Sequence, residues 1–224
     1  MKHVLLFLSF LLFGVTICHA QEASAPKHVF GVRAGLDITK PLPLDNIFDE
    51  TESENKFGAG FHIGGIYQIA LSKTRKWYFQ TGLYLRYNTG KSSITDMDSF
   101  YNDYDEYRVY NHQYRALFIE IPAMFVRNIG VTDDWTIQPI AGLSYSFGAW
   151  GKYKEEYTSY DNNGLNESVN KEGNLFGDEW AKWAKHGVNL RVGVNVIYQK
   201  YLFGIDVSYG EDLWGVGINL GYNF

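Results

Sequence analysis

Beyond residue 28 the chain alternates apolar and polar residues with period 2 along most of its length. The clearest stretch is the last one. Val216, Ile218, Leu220, Tyr222 and Phe224 are apolar, while Gly215, Gly217, Asn219, Gly221 and Asn223 between them are small or polar. Alternate side chains of a strand point to opposite faces, so this stretch has one oily and one polar face. Seven earlier segments follow the same rule and predict strands over 28–40, 57–71, 77–88, 112–128, 135–150, 185–199 and 201–209. Pro122 interrupts the fourth. It lacks an amide donor, and a local bulge is the expected accommodation.

The connections are unequal. Segments 41–56, 89–111 and 151–184 read as long, acidic loops, whereas 72–76, 129–134 and 199–200 read as short turns. A tilted strand of about 9–11 residues crosses the hydrocarbon of a bilayer. An even strand number, short turns on one side and long loops on the other are the marks of a bacterial outer-membrane barrel. The predicted fold is therefore all-β: an eight-stranded antiparallel up-and-down transmembrane β-barrel over 28–224 with long extracellular loops. Trp77, Trp135, Tyr198, Tyr201 and Phe224 at the inner strand ends, and Tyr87, Phe147, Tyr209 and Trp214 at the outer ends, fit interface girdles.

Composition agrees. Hydrophobic residues make up 46% of the chain, yet the mean hydropathy is only −0.24. The apolar residues are interleaved with polar ones rather than gathered into the roughly 20-residue run of a membrane helix. A secreted β-sandwich is the soluble alternative. Net charge is −5 with no basic patch along the sequence, which argues against nucleic acid. The first 20 residues read as a signal peptide: Lys2 and His3, an apolar run from Val4 to Val15, and small residues before a cleavage after Ala20. Residues 21–27 form a short periplasmic leader. The sole cysteine, Cys18, falls inside the signal peptide, and Ile17 before it disfavours lipidation. The exported chain would carry no disulfide and no thiolate site.

Several charged residues fall on the polar, inward face: Arg33, Asp37, His62, Arg86, Glu120, Arg191 and Asp206. An eight-stranded barrel is just wide enough for side chains to fill, and buried charges must be paired. A structural ion-pair network is the expected reading, with Glu120 and one or two of the arginines as its leading pair. A pore lining or proton path is the other. Gly215, Gly217 and Gly221 are expected to leave room for Arg33 and Arg191. The acids Asp96, Asp98, Asp103, Asp105 and Glu106 lack the spacing of a cation loop and read as a solvated face. Trp180 and Trp183, three residues apart, suit a short helix at the outer leaflet or a partner-binding knob. No catalytic arrangement, cofactor site or metal site is expected.

The chain resembles the PorT-like outer-membrane β-barrel proteins in two places: Leu117 to Ala123 (LFIEIPA), similar to a YLEIPL stretch of that family, and the final GYNF of residues 221–224. Phe118 and Ala123 stand where leucine is usual. The resemblance implies an eight-stranded bacterial outer-membrane protein. Its founding member serves protein secretion and gliding, a role that these short motifs do not carry over. The functional expectation is a monomeric, non-enzymatic barrel acting as a membrane anchor or surface interaction module. A narrow channel or an accessory part of a transport or secretion machinery is the alternative. Expected partners are outer-membrane lipid, the barrel-assembly machinery through Tyr222 and Phe224 of the last strand, and envelope or secretion proteins.

Overall fold

The structure is a computed structural model that describes residues 26–41, 51–97, 107–161, 164–177, 185–210 and 213–224. The signal peptide with Cys18, most of the leader, Trp180, Trp183, and the acids from Asp98 to Glu106 lie outside the described residues. In chain order the strands are β1 (His28–Pro41), β2 (Thr51–Lys56), β3 (Gly58–Ala70), β4 (Trp77–Met97), β5 (Tyr107–Arg127), β6 (Ile129–Gly130), β7 (Trp135–Asp161), β8 (Gly164–Asn174), β9 (His186–Tyr198), β10 (Tyr201–Tyr209) and β11 (Leu213–Asn223). Eight of them close into an antiparallel barrel in the order β1, β3, β4, β5, β7, β9, β10, β11, with β11 returning to β1. Closure leaves no free edge inside a bilayer, where an unpaired backbone group costs several kcal/mol.

The outward face carries the oily half of each alternation. Leu36, Ile63, Leu83, Phe125, Leu143, Val188, Ile205 and Ile218 are all more than half exposed. In water this would be a large apolar surface, and in hydrocarbon it is the solvated one. The inward half is buried. At the short-turn end of the lumen, Val29, Tyr78, Met124, Val126 and Ile140 pack into one cluster with Ala70 against it. The Tyr78 hydroxyl donates to the Pro26 carbonyl at 2.8 Å. Inward amides lie beside this cluster: Gln68 donates to Gln80 at 2.7 Å and Gln138 to Asn128 at 2.8 Å. Gln199, at φ 53°, makes the tight β9–β10 turn in the left-handed region.

Three sequence expectations need correction. The stretches 41–56, 89–111 and 151–184 are not simple loops. β4 and β5 stay paired up to Met97 and Tyr107. β7 runs on to Asp161. Above the barrel, β4 exchanges its partner β3 for β2, and β7 exchanges β9 for β8. The result is a five-stranded antiparallel sheet, β2-β4-β5-β7-β8, rising from one side of the barrel. Outside hydrocarbon neither face must be oily, so these strands lack the apolar alternation that marks the others.

The bulge is also not at Pro122. The pairing of β5 with β7 passes Pro122 opposite Ser144 in register, and β4 keeps one register on both sides of it, Thr81 with Ala123 and Tyr84 with Glu120. On the β4 side Pro122 falls opposite Gly82, which has no side chain to crowd it. The register shift lies instead between Leu117 and Phe118, where Ala149 of β7 goes unpaired. Finally, 129–134 is not only a turn, because β6 makes a two-residue bridge to Thr136 and Ile137.

Candidate functional site

The lumen holds the densest group of buried polar chemistry among the described residues. At its centre lies Arg86 of β4. Its Nε donates to Glu120 Oε2 at 2.8 Å, and its Nη1 pairs with Asp37 Oδ1. The second Asp37 oxygen lies 2.9 Å from His62 Nδ1. On the far side of the ring, His62 Nε2 is 2.8 Å from Asn219 Oδ1. Asn219 then donates from Nδ2 to Asp206 Oδ2 at 2.6 Å. Asp206 Oδ1 faces Arg191 Nε at 3.5 Å, and Arg191 Nη2 lies 2.9 Å from Glu120 Oε1. Neither Arg191 contact has hydrogen-bond geometry, so both are ionic. The chain of contacts closes on itself: Arg86, Asp37, His62, Asn219, Asp206, Arg191, Glu120 and back to Arg86. Each member comes from a different barrel strand, β4, β1, β3, β11, β10, β9 and β5.

Asn219 turns its amide nitrogen to the Asp206 carboxylate, so its oxygen faces His62. Both imidazole nitrogens therefore face oxygen atoms, of Asp37 on one side and Asn219 on the other. The two ring arginines lie among the three carboxylates, as buried charges require.

Of the residues singled out from sequence, Asp37, Arg86, Glu120, Arg191 and Asp206 are brought together in this ring, and His62 joins them. Arg33 is not. It is buried, but it bonds to backbone and amide oxygens at the β1–β11 seam: to the Val32 carbonyl at 2.8 Å, the Tyr222 carbonyl at 3.3 Å and Asn223 Oδ1 at 2.6 Å. Asn219 was not singled out, although its inward position on β11 was legible from the alternation. The glycine expectation holds for one pair and shifts for the other. A Cβ at Gly221 would sit 2.5 Å from Arg33 Cδ, but Gly217 makes room for Asp37 and Asp206, not Arg191. Tyr222 and Phe224 point outward at the short-turn end and meet edge-on with centroids 5.6 Å apart.

Between the ring and the apolar cluster lies a cavity of about 30 Å³, lined by Arg33, Tyr84, Met124, Ile140, Arg191 and Asp206 among others. That is room for roughly one or two waters, not for an organic ligand. At the opposite mouth Phe176, just after β8, sits over Gly148 and Gly151 and meets Phe118 edge-on at 5.6 Å. Among the described residues no three His, Cys, Asp or Glu converge as metal ligands.

A closed antiparallel barrel with an oily exterior, a polar buried interior and aromatic belts at both strand ends defines an integral outer-membrane β-barrel protein. The chain belongs to the outer membrane protein beta-barrel domain family, whose model matches residues 19–211. A comparison with curated proteins gave no match. The structure is similar to Ail, the attachment invasion locus protein of Yersinia pestis, at 11% identity over 89% of this chain and 100% of that one, with a TM-score of 0.37. It is similar also to OprG of Pseudomonas aeruginosa, at 13% identity over 88% and 95% of the two chains, with a TM-score of 0.38.

Proposed function

We propose that this protein is a non-enzymatic, monomeric membrane anchor with a lumen filled by side chains, and that it presents the five-stranded sheet outside the cell as an interaction surface. In this reading the short turns lie in the periplasm and the long hairpins project outward. The observation that carries it is the partner exchange of β4 and β7, which builds a paired sheet beyond the barrel. The side of this sheet that continues the lumen is aromatic. Tyr110 stacks on His112, with ring centroids 6.4 Å apart, and tilts against Tyr157 at 5.2 Å. Tyrosine-rich, partly exposed faces suit protein recognition, because they contribute large contact area at low entropy cost.

The filled lumen is supported by the apolar cluster and by the closed polar ring, both buried. The PorT-like likeness, the cleaved signal peptide over 1–20, and recognition of Tyr222 and Phe224 by the assembly machinery belong to the same proposal. The test is crosslinking of the tagged full chain in intact envelopes, followed by identification of neighbours. Defined envelope or secretion proteins should crosslink through the sheet, and Y110S/Y157S should lose them without loss of the barrel. Recovery of the same neighbours by that variant would overturn the surface reading. Steady single-channel openings of the wild-type chain in planar bilayers would favour the channel alternative instead.

A further inference from the structure

The outward side of the same sheet gathers charge that the sequence scatters. The last apolar rung on this side is Tyr87–Leu117–Trp150, paired across β4, β5 and β7. The next rung on that face is Thr89–Arg115–Lys152, and the one after it Lys91–Gln113–Lys154. Strands stand about 4.8 Å apart and same-face residues about 6.8 Å apart, so Lys91, Arg115, Lys152 and Lys154 share a patch roughly 10 Å by 7 Å. All four are exposed. Among the described residues none makes an ion pair. Glu172 faces Lys154 in register without bonding it. Nearby rim cations are engaged otherwise: Lys40 lies over the Phe57 ring and Lys185 over that of Phe147.

Arg115 and Lys152 are directly opposed across two strands. Like charges in that position repel, and this happens on a chain of net charge −5. An anion between them removes the conflict. Phosphate does so best, through charge-assisted bonds to ammonium groups and a two-pronged bond to the guanidinium. The patch also faces the same way as the lipid-facing side chains and begins one rung above the oily belt. An anion there sits at headgroup depth, directly over the acyl chains.

We propose that Lys91, Arg115, Lys152 and Lys154 form a binding site for the phosphate-bearing headgroup of an outer-leaflet glycolipid. The proposal rests on the orientation given above, with the long hairpins outside. Protease digestion of intact cells reports that orientation separately, whereas binding by purified protein reports the site.

The test titrates the detergent-purified full chain with bis-phosphorylated lipid A and counts bound lipid by native mass spectrometry. Removal of two basic groups from an anionic surface is worth about thirtyfold in affinity. R115Q/K152Q should therefore bind about thirtyfold more weakly, while K73Q/K200Q, on the opposite turns, should bind as the wild type does. Dephosphorylated lipid A should bind the wild-type chain weakly, an arm that depends on no variant folding. Equal binding of the dephosphorylated lipid, or undiminished binding by R115Q/K152Q, overturns the proposal. Competition by inorganic pyrophosphate at equal concentration does so too, since the site would then take free phosphates rather than a headgroup.

Discussion

At the residue scale, Glu120 and Arg33 separate two kinds of buried charge. Glu120 is 1% exposed and faces both ring arginines. E120Q leaves Arg86 and Arg191 with weaker, neutral contacts inside the lumen. Breaking one side of a buried ion pair costs about 3–5 kcal/mol, so guanidinium unfolding in micelles should show a markedly lower midpoint. R33Q keeps donors for the seam carbonyls and exposes no orphaned carboxylate, so its loss should be smaller, on the order of 1–2 kcal/mol. A larger loss for R33Q than for E120Q would contradict the ring as described. Sequence could read these inward positions, because period 2 assigns every residue a face. It could not read the bonding. Which inward residues meet depends on the stagger between strands, and a register set by eight pairings is not written in any one of them. Asn219 shows this: it looks like one polar residue among several on β11, yet it links His62 to Asp206.

At the scale of the element, β4 shows where the membrane stops. Its outward residues run Trp77, Phe79, Thr81, Leu83, Leu85, Tyr87, then Thr89, Lys91 and Ser93. An arginine near the bilayer midplane costs about 2–4 kcal/mol, and near zero beyond the interface. L83R should therefore lower the yield of folded barrel in a heat-dependent gel-shift assay, while S93R, on the same face of the same strand, should fold as the wild type does. The boundary shows in sequence as the end of apolar alternation, which ends the expected strand at Asn88, nine residues short of Met97. Pairing does not stop with the oil. The same reasoning explains β7, where the unpaired Ala149 lies at the point of departure from β9. Bulges re-aim the side chains beyond them. Here odd-numbered residues face outward below the bulge and even-numbered ones above it, which brings Lys152 and Lys154 to the outer side and Tyr153 to the inner.

At the scale of the whole molecule, three groups of side chains lie along the lumen axis: the apolar cluster around Tyr78 and Met124, the polar ring, and Phe176 over Phe118. Y78A/M124A removes only the first, so planar-bilayer recordings should still lack steady openings. Conductance in that variant would mean that the ring does not block ions. The ring bears on assembly as well. Asp37 stands on the first strand, while Asp206 and Asn219 stand on the last two. Until β1 meets β11, Asp37 holds Arg86 and His62 on one side, Asp206 holds Asn219 and faces Arg191 on the other, and the ring contact still missing is that of His62 with Asn219. The seam is thus tied from inside as well as by backbone pairing, because His62 and Asn219 meet only where the first and last strands have closed the barrel. The final strand acts there as a latch rather than as one more stave.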